Sequence, residues 1–211
     1  MPIPYLSADQ LALALGTWPD PRFVSLCNAL IWAYAGRSRR AVAASFTERE
    51  KARDLGVDAA VELSPEEVGL GPLLSPGLNI FQFKRRDAAA DRSKAISGLK
   101  SELKGAVARV ASALARLPAS YTLVTNLHLN RSQSGVLQKA MSEGSPAEQS
   151  FVRVIGAAEI AGMLGDLPHL RAAFFGAPRF ETWETAWERL CREKPAGAGV
   201  ELVGAARNRP G

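Results

Sequence analysis

Three residues combine types and spacing that can do chemistry: Asp58, Gln82 and Lys84. Gln82 and Lys84 are separated by a single residue, so on a strand both side chains leave from the same face. If the segment carrying Asp58 is the neighbouring strand, a carboxylate, an amide oxygen and an ammonium converge. A hard dication such as Mg²⁺ takes oxygen ligands and keeps several waters. Asp58 can bind it directly, with the Gln82 amide oxygen and the backbone carbonyl of Phe83 as further ligands. Such an ion lowers the pKa of a bound water and stabilises charge on a phosphodiester. Lys84 is placed to orient that water and to meet developing negative charge. Lys84-Arg85-Arg86 has two readings, a phosphate-contacting patch beside the site or an ordinary solvated strand end.

The elements that must position these residues follow from periodicity. Phe23, Leu26, Cys27, Leu30, Ile31 and Tyr34 recur at helical spacing, which predicts a helix over residues 22–34 ending at Gly36. Ser7 is placed to cap a short helix before it. Strands are expected at 41–46, at 56–63 with Asp58 inside, and at 79–85. In the last, Ile80, Gln82 and Lys84 face one way and Phe81 and Phe83 the other. Residues 64–77, rich in proline and glycine, connect the second and third strands. One long amphipathic helix is predicted over 93–117, with Ile96, Leu99, Leu103, Val107, Val110, Leu114 and Leu117 as its stripe and Pro118 as its stop. Residues 121–125 form a continuous apolar strand of the buried type. A helix over 132–141, a strand over 151–155 and short helices over 157–164 and 170–175 complete the order. The expected fold class is α/β, a mixed central sheet flanked by helices.

The segment Asp54-Leu-Gly-Val-Asp58, followed downstream by Phe81-Gln-Phe-Lys84, resembles the Mrr branch of the PD-(D/E)xK, or restriction-endonuclease-like, nucleases. In that branch the acidic member of the D/E-x-K element is often glutamine. Tyr121-Thr-Leu-Val-Thr-Asn126 is similar to the strand that follows the family's long helix, and Val152-Arg-Val-Ile-Gly156 to its next strand. The resemblance spans residues 22–176. It implies Asp58 as metal ligand, Gln82 as the variant ligand and Lys84 as catalytic lysine, with Mg²⁺ or Mn²⁺ as cofactor. It also implies endonucleolytic hydrolysis of DNA, with RNA as the alternative substrate. Relatives act in restriction or antiviral defence, joined to further domains or partner subunits such as defence ATPases, and oligomerisation suits that setting. One departure stands out. Many relatives begin the first helix with Phe-Glu, whereas this chain has Phe23-Val24, so that acid is missing. The alternative is therefore a weakly active or inactive nucleic-acid-binding or assembly module of the same fold.

The expected organisation is an entry segment (1–21), the nuclease-like domain (22–178), a further helix (179–193) bearing Trp183 and Trp187 as packing residues, and a linker or tail (194–211). The bulk properties agree with a folded domain: 211 residues are 47% hydrophobic and 22% charged. Net charge is +5, compatible with a polyanionic partner. Cys27 and Cys191 form no C-x-x-C pair, which argues against zinc and suits a reducing cytoplasm. His128 and His169 have no partner at ligand spacing. Asn126, at a strand end, reads as a turn residue. Arg92, Lys94, Lys100, Lys104 and Arg109 read as the wet face of the long helix. There is no phosphate-binding glycine loop. Neither a basic leader nor an apolar run of membrane-spanning length is evident, so no membrane partner is expected.

Overall fold

A computed structural model describes residues 8–36, 41–46, 56–66, 72–87, 91–145 and 152–176. The expected helix and tail beyond residue 178 lie outside the described residues, as do Ser7 and Asp54. The described elements, in order, are α1 (Ala8–Thr17), α2 (Asp20–Ala35), β1 (Ala41–Phe46), β2 (Ala59–Leu63), β3 (Gly77–Lys84), α3 (Arg92–Leu103), α4 (Ala106–Leu114), β4 (Ser120–Thr125), α5 (Arg131–Ser142), β5 (Val152–Ile155), α6 (Ala157–Asp166) and α7 (Pro168–Phe175).

Alternation along β3 decides the layering. Phe81 and Phe83 enter a core with Phe23, Leu26, Leu30, Val124, Ile155 and Ile160, which places α1, α2 and α6 on that face. Ile80 enters a second core with Leu99, Val107, Tyr121, Leu137 and Val154, which places α3, α4 and α5 on the other. A sheet with apolar residues on both faces needs helices on both faces, and the result is a three-layer α/β/α arrangement. The five strands lie in chain order, β1-β2-β3-β4-β5. The first three form an antiparallel meander, in which Ala59 pairs with Phe81. β3–β4 and β4–β5 are parallel. Parallel neighbours need a crossover, supplied by α3 with α4 and then by α5.

The helix predicted as one piece over 93–117 is two. It breaks at Lys104–Gly105, where Gly105 takes φ 65° and its N–H reaches the Ala140 carbonyl at 2.9 Å. Only glycine adopts that backbone at no steric cost, and the bend lets the chain turn over α5. Leu99, Leu103, Val107 and Val110 stay buried across the break, but Leu114 and Leu117 are 42% and 49% exposed. Local caps fix the other ends. Asp91 accepts from the Lys94 N–H at 2.8 Å, and Asn130 forms a reciprocal capping box with Gln133. α1, expected only as part of an entry segment, buries Leu11 and Leu15 in the first core. No helix among the described residues is long and apolar enough to cross a membrane.

Candidate functional site

At the C-terminal end of β3 a cleft of about 310 Å³ is lined by Asp20, Phe23, Val24, Asp58, Phe83, Lys84, Arg85 and Arg86. Asp58 was expected inside a strand. It lies just before β2, and its backbone N–H donates to the Phe81 carbonyl at 2.9 Å. Its Oδ2 accepts the Phe83 N–H at 2.6 Å. The carboxylate is therefore fixed against the backbone of the strand that carries Lys84. Lys84, on the last turn of the β3 ladder, extends toward α3, where its Nζ lies 3.6 Å from Glu102 Oε2.

Asp58 and Lys84 thus meet on one cleft, and Gln82 does not line it. Gln82 is 6% exposed and faces the α3–α5 layer. Its Oε1 accepts the Tyr121 hydroxyl at 2.7 Å. Its amide nitrogen lies over Gly56, at φ 76°, so closely that a Cβ at residue 56 would overlap it. Gln82 therefore fills the hollow beneath the turn that delivers Asp58. This environment explains the amide in place of an acid. A carboxylate there would be desolvated and set near the charge of Asp58, whereas a neutral amide meets the Tyr121 hydroxyl without that cost. Burial, with Asp58 as a further contributor, raises the Tyr121 pKa above the ordinary tyrosine range, keeping its hydroxyl a donor. Burial raises the Cys27 thiol well above its ordinary value too, again with help from Asp58, so Cys27 is an inert core residue.

The basic run divides into different roles. Arg85 is turned back onto the protein, pairing with Asp20 and Asp87 and donating to the Gly16 carbonyl at 2.8 Å. It ties the end of β3 to the α1–α2 junction and is a strut, not an open phosphate contact. Arg86 reaches Glu102 Oε1 at 2.6 Å. Asn126, read from sequence as a turn residue, holds the Arg86 backbone at two points, accepting its N–H at 2.7 Å and donating to its carbonyl at 2.8 Å. Glu62, near Asp58 in sequence, sits at the other end of β2 with Arg116 at 3.0 Å, which lowers its pKa. His128 pairs with Asp9 at 2.5 Å.

Two site residues escaped the sequence reading. Asp20 lies one helical turn before Val24 on α2, so it supplies a carboxylate to the wall where Phe23-Val24 supplies none. That i, i+4 relation was a readable signal. Glu102 gave none, because only the folded register brings α3 against the end of β3. The donors on the cleft are hard oxygens, Asp58 and Asp20, and suit Mg²⁺ or Mn²⁺ held by one or two carboxylates with waters completing the shell. They do not suit a soft thiolate-seeking metal. Among the described residues no group of three or more His, Cys, Asp and Glu side chains converges on one point.

What the fold and cleft define is a mixed α/β domain with Asp58 and Lys84 lining one cleft at the end of a sheet strand. Compared with known proteins, the chain matches no family, no curated protein and no solved structure.

Proposed function

We propose that this chain is a metal-dependent nuclease domain of the restriction-endonuclease-like fold that hydrolyses DNA phosphodiesters, as an effector or restriction module in bacterial defence. The observation that carries the reading is that Asp58, just before β2, and Lys84, at the end of β3, line one cleft. The order of an antiparallel meander followed by two parallel crossovers supports it, as does the backbone of Phe83 fixing the Asp58 carboxylate.

In this reading Asp58 would hold Mg²⁺ or Mn²⁺, with Asp20 on the same cleft. The ion, when bound, supplies an acidified water and neutralises phosphate charge. Lys84 Nζ donates to the attacking water and to the non-bridging phosphate oxygens as charge grows. Gln82, expected as a ligand, is in this reading a positioning residue that shapes the Gly56–Asp58 turn. The net charge of +5 suits a polyanionic substrate. A partner ATPase or clustering module comes from the same resemblance, and a cytoplasmic setting from the cysteine usage.

A second reading has its own observation. Gln82 is engaged by Tyr121 and Asp20 by Arg85, which leaves Asp58 as the principal acid for an ion. A domain so arranged can bind nucleic acid or organise an assembly without cutting. Incubating the chain with supercoiled plasmid and with single-stranded DNA, in Mg²⁺, in Mn²⁺ and in chelator, separates the two. Nicking that depends on the metal supports the nuclease. Binding without cleavage under all conditions, including forced dimerisation, supports the second reading.

A further inference from the structure

Lys84 and Arg86 leave β3 in the same direction, and between their cationic ends sits one carboxylate of the same chain. Glu102 Oε1 accepts from Arg86 Nη2 at 2.6 Å and Glu102 Oε2 lies 3.6 Å from Lys84 Nζ. The two cations stand on rigid supports. Lys84 is paired in the β3–β4 ladder with Thr125, and the Arg86 backbone is clamped by Asn126. The acid stands on a poor one. It occupies the last turn of α3, where the helix dipole disfavours negative charge. Its side chain is 45% exposed, so water screens both contacts.

We propose that Lys84 and Arg86 form an anion site whose resident occupant is Glu102 and whose external ligand is a phosphate group of a nucleic-acid backbone. A backbone phosphodiester offers non-bridging oxygens to both cations at once, including the paired N–H groups of the guanidinium; it carries the same single charge as the carboxylate it displaces but brings neighbouring phosphates of the same chain with it. Glu102 then has two effects. It holds Lys84 and Arg86 together beside the cleft when no polyanion is bound, and it competes with phosphate for them. Binding requires exchange of one internal anion for an external one, so weak or singly charged anions are rejected while a chain of phosphates succeeds. This inference rests on the nuclease reading only for the identity of the ligand. The anion site itself rests on the geometry of the three side chains.

The test measures binding in chelator, where no cleavage intervenes. A fluorescein-labelled duplex oligonucleotide is titrated against the parent, Glu102→Gln and Glu143→Gln over a range of salt. Glu143→Gln removes the same charge from a pair with Lys104 at 3.1 Å, away from the cleft, and so reports the generic effect of net charge. Glu102→Gln is expected to tighten binding about five- to tenfold at low salt, from the release of two screened pairs. It should also steepen the salt dependence by up to about two counterions. Glu143→Gln should change affinity by less than about twofold. In a Lys84→Ala, Arg86→Ala background the gain from Glu102→Gln should vanish. Equal effects of Glu102→Gln and Glu143→Gln overturn the proposal, even for a chain that cuts DNA. Inorganic tripolyphosphate is the second probe. A Glu102→Gln gain for tripolyphosphate, with no variant binding duplex, keeps the anion site and removes the nucleic-acid reading. No gain for either probe removes the site.

Discussion

The two ends of β3 carry polar groups of opposite design. At its start, Asn79 is fully buried and has five hydrogen-bond contacts, its two amide hydrogens shared among the carbonyls of Val61, Ser75 and Gly77 and its oxygen accepting from the Ser75 N–H and the Ser120 hydroxyl. Arg153 from β5 closes the same corner by donating to Pro72 and Ser75. Among the described residues, the polar atoms of Asn79 are all engaged within the fold. At the strand's other end, Asp58, Lys84 and Arg86 carry net charge into an open cleft. The first end is polar for the sake of the fold. The second is polar at the fold's expense, because like and unlike charges are held at a surface where pairing returns little stability. The contrast teaches that burial with complete pairing marks a structural network, and charge held partly open on rigid backbone marks a site.

That comparison breaks most visibly at Asn79. Asn79→Ala removes all five contacts and leaves buried backbone groups of β2 and the β3 approach without partners. Loss of a buried network of this kind should destabilise the chain by about 3 kcal/mol. Denaturant unfolding checks the loss, and activity per folded molecule at the far end should be unchanged. If cleavage or binding per folded molecule falls as steeply as stability, the two ends are not separate in function.

A smaller effect sharpens the link between Gln82 and Asp58. Gly56→Ala both strains a residue at φ 76° and pushes into the Gln82 amide. It should cost about 1–3 kcal/mol in stability and also lower any metal-dependent rate, since the displaced turn carries Asp58. Gly105→Ala has a left-handed backbone as well, at φ 65°, but no tie to the cleft. It should destabilise without a change in rate once corrected for the folded fraction. A Gly56→Ala variant that loses stability but keeps the parent rate would detach the turn from the chemistry.

The smallest effect is one of pH. The Tyr121 pKa is raised by burial, so above the ordinary tyrosine value the folded chain binds a proton that the unfolded chain has lost. Its contribution is complete below about pH 10 and is lost as pH rises above that value. Tyr121→Phe should lower stability near neutral pH by about 1 kcal/mol, through the unpaired Gln82 oxygen, and flatten the alkaline decline. Unfolding curves taken from pH 8 to 11 read both changes. A decline as steep in Tyr121→Phe as in the parent would place its source elsewhere, with Cys27 the next group raised in the same way.

How much of this was legible depends on the range of the interaction. The two faces of β3, the buried run of β4 and the stripe of α2 follow from local period, and they were readable because alternation and helical spacing act within one segment. The break at Gly105 was not. The apolar stripe keeps its spacing from Leu103 to Val107, so a glycine between them reads as tolerated until α5 is known to pack there. Asp58 and Lys84, which line one cleft, were readable as candidates from type and spacing, but the inward turn of Gln82 depends on the β3–β4 register that sets Tyr121 beside it. A tyrosine in a fully buried strand carries one clue, since its hydroxyl requires a partner when buried. The ties of Arg85 to Asp20 and of Glu102 to Lys84 and Arg86 carried none, because each joins a helix to the end of β3 and exists only in the folded chain.

The most direct test is the cleavage rate and the DNA affinity of Asp58→Ala and Lys84→Ala beside the parent, at matched metal and salt. In the proposed nuclease both substitutions act on the reacting centre, where one well-placed electrostatic group is worth about a hundred- to a thousandfold in rate. DNA affinity comes from many distributed phosphate contacts and should move only by a small factor for Asp58→Ala. The account predicts that each variant falls about a hundredfold or more in metal-dependent cleavage while remaining folded and able to bind DNA. Parent-like cleavage by both variants would contradict it.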